Sequence, residues 1–243
     1  MSTKNVFVYG VVSYLLFLLV FGYLILFTAE LWVPWSVGSG ISEDKWGDAG
    51  FNFFLITLFG LQHSVMARPA FKNWWNKHVP EHLERSHYVM ISSVLILVLI
   101  VLWRPMGTVL WHFESELIVK TLWTIFAFGW FLTVFSTFLT DHFDLFGLRH
   151  VYLHYVEKTY TDIIFSEHLL YRVVRHPMML GMLIGFWVTP YMTLGHLVLA
   201  AGLSLYIVVG IYFEERTLLK TLGEDYRNYR KKTPKLIPRF KDK

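Results

Sequence analysis

The sequence predicts an all-α, polytopic membrane bundle with five to six spans, and three observations predict it. Only 16% of the 243 residues are charged, against roughly 25% in soluble domains. Hydrophobic residues make up 55% of the chain and its mean hydropathy is +0.45. They fall in runs close to the ~20 residues that cross a bilayer, rather than in amphipathic stripes. The 10 Trp, 13 Tyr and 21 Phe suit aromatic belts at the two membrane faces.

The first run, "VFVYGVVSYLLFLLVFGYLILFTA", far exceeds the ~7–15 apolar residues of a cleaved leader and reads as a first transmembrane helix. Run length and flanking breakers place helices at about residues 6–28, 50–66, 88–103, 118–140, 177–190 and 194–213. The last two are short and form a tight helical hairpin, with Thr189, Pro190 and Gly195 around its turn. Between the second and third helices, "RPAFKNWWNKHVP" reads as a short interfacial helix, with Pro69 suited to its first turn.

Lys and Arg in the loops set the expected orientation. Residues 29–49 carry Glu30, Glu43, Asp44 and Asp48 against a single Lys45 and are expected outside. The 67–87 loop, with Arg68, Lys72, Lys77 and Arg85, is expected inside. Residues 104–117 follow outside; 141–176 and the basic tail from Arg216 follow inside. All five assignments alternate as six spans require, with both termini cytosolic. The tail is read as resting on membrane lipids. Nothing points to nucleic acid or to an obligatory protein partner.

With no cysteine, disulfides, thiolate metal sites and cysteine nucleophiles are excluded. The eleven histidines show no tight ligand spacing, so no metal is assigned.

Four polar groups stand out from the apolar background. In "YRVVRHPMMLG", Pro177 favours the first position of a helix and disfavours α geometry in the residue before it. His176 is therefore expected at a helix start, where free N–H groups and the dipole attract anions. Arg175 adds a charge there, and Gly181 permits close backbone approach. The alternative is an interface arginine beside a capping histidine. In "IVVGIYFEER", Glu214 and Glu215 leave a span at the same expected face. Together the two groups suit a ligand carrying both a carboxylate and an ammonium; alternatively Glu214 and Glu215 pair with Arg216 or Lys220. In "GEDYRNYRKKTPKLIP", Gly223 can end a helix, while Tyr226 and Tyr229 recur at one-turn spacing as an aromatic face for a flat ring. Finally, His63 in "GLQHSVMA" and His142 in "TDHFDLFG" sit at helix ends, as candidate proton acceptors or as hydrogen-bonded structural histidines.

At these residues the chain resembles a known superfamily. R-H-P-x-x-x-G, a helical hairpin, E-E, then G-x-x-Y-x-x-Y and a closing proline segment is similar to the C-terminal signature of the isoprenylcysteine carboxyl methyltransferase and phospholipid methyltransferase superfamily. "FGLQHSVMARPAFKNWW", "VPEHLERSHYVMISS", "LWRP", "DHFDLFGLRHVY" and "YMTLGHLVLA" resemble the bacterial methanethiol S-methyltransferases within the wider NnrU-like membrane family. The resemblance implies methyl transfer from S-adenosylmethionine to methanethiol, giving dimethyl sulfide and S-adenosylhomocysteine, with hydrogen sulfide a possible second acceptor. It implies cofactor contacts at Tyr171, Arg175, His176, Gly181, Glu214, Glu215, Tyr226 and Tyr229. It also implies one methyltransferase domain over residues 1–243, with the cofactor region at 141–243, in a bacterial inner membrane. A basic residue just before the acidic pair, expected in prenylcysteine enzymes, is missing from "VVGIYFEE". That agrees with a small neutral thiol. His63 or His142 is expected to take the thiol proton, since histidine titrates near neutral pH. Methylation of a lipid head group and a non-enzymatic NnrU-like factor are the other expectations.

Overall fold

The computed structural model describes residues 2–161 and 169–238. Its helices are α1 (Thr3–Ala29), α2 (Lys45–Met66), α3 (Pro69–Trp75), α4 (Glu81–Leu102), α5 (Glu116–Phe138), α6 (His142–Leu145), α7 (Leu148–Tyr155), α8 (Pro177–Trp187), α9 (Leu194–Leu222) and α10 (Glu224–Lys232). A short strand β1 (Val109–His112) pairs with β2 (Tyr191–Thr193). Five helices, namely α1, α2, α4, α5 and α9, are long and apolar enough to cross a membrane. The chain is therefore an all-α polytopic membrane protein. At 11 residues, α8 spans only ~16 Å, about half a hydrocarbon core.

The chain divides into two compact units, residues 2–108, 141–161 and 193–198 against 109–140, 169–192 and 199–238. In the first, α1 packs on α4 and α7, and α2 packs on α4. Val6, Leu83 and Val151 lie buried together where these helices meet. Asn52, fully buried in α2, closes the end of α4: its Nδ2 donates to the Arg104 carbonyl at 2.8 Å and its Oδ1 accepts from the Arg104 N–H at 2.9 Å. One polar side chain thereby satisfies backbone groups that lipid could not. The expected interfacial helix is α3, with Pro69 in its first turn.

In the second unit α5 packs on α8. A Cβ on Gly181 would stand 2.6 Å from the Gly129 carbonyl oxygen and 2.6 Å from Thr133 Oγ1. Small residues permit this approach, the usual device of membrane helix pairs. The α8–α9 hairpin is tied at one end by Trp187 Nε1 donating to Ser204 Oγ at 2.8 Å. Beyond α8, Trp111 Nε1 donates to the Thr189 carbonyl at 3.2 Å and the Phe113 N–H to the Pro190 carbonyl at 3.1 Å.

Two boundaries and one pairing depart most from expectation. Helix α4 begins at Glu81 rather than near 88, its first turn carrying Glu81 and Glu84 at the positive dipole end. The strands were not anticipated, because runs of four and three residues carry no readable period. Most consequential, α9 does not stop at 213: it continues to Leu222 and ends only at Gly223, whose φ is +57°. The residues from Thr217 to Leu222 are mostly good helix formers and nothing interrupts them. The acidic pair therefore lies inside a continuous helix.

Candidate functional site

Pro177 opens α8 at a first-turn position, and His176 just before it has the non-helical φ of −126° and ψ of 65°. This turn aims the Arg175 and His176 side chains at α9. There Glu215 Oε1 accepts from Arg175 Nε at 2.8 Å and lies 2.7 Å from its Nη2. The same oxygen faces His176 Nε2 at 3.2 Å, while His176 Nδ1 faces Glu214 Oε2 at 3.5 Å. Both imidazole nitrogens thus meet carboxylate oxygens. The Arg175–Glu215 pair is buried, its side chains 8% and 7% exposed, whereas the Glu214 side chain is 48% exposed. Adjacent residues on one helix have different circumstances: Glu215 is locked in an ion pair, while Glu214 is half-exposed beside His176.

A third strand of chain completes the arrangement. Arg175 Nη1 donates to the carbonyls of Thr233 at 2.6 Å and Arg230 at 3.2 Å. The backbone N–H groups of Arg175 and His176 donate to the carbonyls of Pro234 at 2.9 Å and Lys235 at 3.2 Å. The segment after α10 is thus strapped across the start of α8. Sequence reasoning missed this strap, since backbone carbonyls leave no mark in residue type; the closing Pro234 was the single hint.

The tyrosines gather on the inner side. Tyr226 and Tyr229 are buried, with ring centroids 5.8 Å apart, and the Tyr229 hydroxyl donates to the Tyr171 carbonyl at 2.6 Å. The aromatic face expected for a flat ring is turned inward: α10 follows Gly223, whose φ is +57°, and buries both tyrosines. Burial pushes the Tyr226 phenol up to about 12 and also raises that of Tyr171. Both phenols are neutral at physiological pH. Gly181 faces α5, and its lack of a side chain serves helix contact.

The two expected proton acceptors belong to the other unit. His63 Nδ1 lies 3.2 Å from Ser92 Oγ, and its ring is 4.8 Å from that of Tyr88. His142 is buried at the start of α6, its Nε2 2.8 Å from the Tyr14 hydroxyl. Burial lowers its pKa, although Asp141 opposes the shift, so the ring is held neutral near pH 7.

A second basic–acidic knot, around Arg149, lies in the first unit. Arg149 Nη1 pairs with Asp144 Oδ1 at 2.9 Å, and His150 Nε2 lies 3.6 Å from the same oxygen. Arg149 Nη2 donates to the Thr161 carbonyl at 3.0 Å, and the Tyr160 hydroxyl to Asp144 Oδ2 at 3.3 Å.

The NnrU protein family model matches residues 53–238. The chain is 47% identical over 231 residues to a methanethiol S-methyltransferase of Mycobacterium tuberculosis, covering 95% of each chain. It is 42% identical over 238 residues to one from Crocosphaera subtropica, covering 98% of this chain and 93% of that one. It is also 43% identical over 232 residues to methanethiol S-methyltransferase 1 of Bradyrhizobium diazoefficiens, covering 96% and 81%. No solved structure matches.

Proposed function

The chain belongs to the NnrU protein family, and we propose that it is a membrane methyltransferase, one domain over residues 1–243, converting methanethiol to dimethyl sulfide with S-adenosylmethionine as donor. Hydrogen sulfide is a second acceptor in this reading. The observation that carries it is the near full-length similarity to the methanethiol S-methyltransferase of Mycobacterium tuberculosis. We place the protein in a bacterial inner membrane with both termini cytosolic, following the alternation of basic loops, with α8 and the residues after it as the short sixth crossing.

The donor set of the second unit fits the amino-acid end of S-adenosylmethionine. Glu214 keeps an exposed carboxylate beside His176, suited to an ammonium. Arg175 presents its charge at the same turn, but its Nε and Nη2 are committed to Glu215 and its Nη1 to the strap. In this reading Glu214 contacts the donor, and Arg175 and Glu215 hold the turn that presents it. The tyrosines wall the site from within. When bound, S-adenosylmethionine supplies an electrophilic methyl group on a sulfonium. The protein's part is placement, since displacement needs sulfur in line with the methyl–sulfonium bond at about 3–3.5 Å. A C–S bond to the acceptor forms as the sulfonium C–S bond breaks, and the thiol proton must leave. His142, neutral through burial, and His63 are the proposed acceptors of that proton.

The test is calorimetric binding of S-adenosylhomocysteine to the purified chain, followed by headspace detection of dimethyl sulfide from methanethiol. Binding and volatile product are expected. A labelled methyl group that ends in lipid instead would overturn the thiol assignment. Single His63→Asn and His142→Asn substitutions should lower turnover and shift its pH profile; if neither does, the proton goes elsewhere.

A further inference from the structure

Beside the strap lies a cleft of about 180 Å³ whose charged lining residues are all cations: Arg175, Arg230, Lys231, Lys232 and Lys235. Behind it stands one carboxylate, Glu215, with Arg230 Nε and Lys235 Nζ each 3.9 Å from its Oε2 and Arg175 bonded to its Oε1. Among the described residues, neither Lys231 nor Lys232 has an acidic partner. Five cations facing one carboxylate repel one another: Arg230, Lys231 and Lys232 lie on the last turn of α10, Lys235 on the strap that follows it, and Arg175 before α8.

We infer that this cleft binds a phosphate group, which fastens the tail across the start of α8. Its size decides the class of ligand. Pockets for drug-sized molecules run to roughly 300–1,000 Å³, so this one takes a small anion and not a nucleoside. Donors converge on it from α10, through Arg230, Lys231 and Lys232, and from the segment after α10, through Lys235, an arrangement that suits a group with several acceptor oxygens. With the basic tail at the cytosolic membrane face, as proposed above, lipid phosphates are one source of such a group. The apolar run of α9 ends at Phe213, the strap follows α10, and Ile237 beyond it is 79% exposed, placed to dip into acyl chains. A bound phosphate offsets the repulsion within Arg230–Lys235 and keeps the Arg175 and His176 amides on the Pro234 and Lys235 carbonyls. The inference goes beyond the methyl-transfer reading and stands without it.

The experiment follows hydrogen exchange in peptides covering Arg175–His176 and residues 233–237 of the full chain. It compares maltoside micelles at matched chloride ionic strength, the same micelles with phosphatidylglycerol, and the same micelles with inorganic phosphate. Exchange should slow about tenfold on adding a phosphate source, within the usual range for coupled sites. Slowing by the lipid alone identifies a head group as the occupant, and slowing by inorganic phosphate as well identifies any free phosphate. The Lys231→Gln, Lys232→Gln double variant should lose the effect. No slowing from either source, or undiminished slowing in the double variant, overturns the proposal.

Discussion

The chain contains two Arg-His pairs, Arg149-His150 and Arg175-His176, and the structure builds a similar knot from each. In both, the arginine and the histidine face one carboxylate oxygen, of Asp144 or Glu215. In both, the arginine also donates to a threonine carbonyl further along, Thr161 or Thr233. They differ in depth and in their further acids. The Arg149–Asp144 side chains are 24% and 15% exposed, against 8% and 7% for Arg175–Glu215. Further carboxylates act on both knots: on the first Asp141, which caps α6, and Glu84, which pairs with Lys72; on the second Glu214, half-exposed beside the histidine. An arginine–histidine–carboxylate knot is thus a way of tying loops to helices. What makes one a candidate ligand site is the additional acid left half-exposed beside the histidine.

Substitution of Glu215 should separate the knots most sharply. Glu215→Ala leaves a buried guanidinium without its partner, a loss of about 3–5 kcal/mol. It should appear as a large fall in thermal midpoint together with lost S-adenosylhomocysteine binding. A stable protein with intact binding would break the comparison. Glu214→Gln should weaken S-adenosylhomocysteine binding by about 10–100-fold, the value of a hydrogen bond to a charged group, while the melting temperature stays unchanged. Equal loss in both properties would make Glu214 part of the knot. Asp144→Asn should cost about 1 kcal/mol, as expected of a partly exposed pair, and leave calorimetric binding untouched.

The smallest effect is a pH dependence. Burial lowers the pKa of His150, with Asp144 opposing. Its neutral form is favoured in the folded chain, so the unfolded chain binds more protons below the ordinary histidine value of about 6.5. Stability should fall gently as pH drops below that value and level off once the folded histidine titrates. Comparing melting curves between pH 7.5 and 5.5 with those of His150→Asn should show a flatter dependence in the variant. An identical slope would remove His150 as the cause.

Much of the fold was legible because lipid imposes length and loop charge imposes order. Runs such as Val6–Ala29 can hardly be anything but spans. Harder to read was where a span's helix ends once its apolar run does. Phe213 marks the end of the apolar run and Gly223 the end of α9, and only the second is a matter of backbone geometry. The meeting of Arg175 and His176 with Glu214 and Glu215 was anticipated from charge and placement. Its internal pairing was not, because composition cannot say which of two adjacent acids points inward. Gly181 and Gly185, four residues apart, carried a helix-contact signal that the cofactor reading passed over.

The unbroken length of α9 has one last consequence. Twenty-nine residues extend ~44 Å as a rod, against ~30 Å of hydrocarbon. Such a helix cannot shorten when the bilayer thins; it tilts or rides higher. Glu214 and Glu215 move with it, so membrane thickness should set how deeply the acids stand relative to the water line. Reconstitution across acyl chains of graded length would then tune their surroundings with no change of sequence.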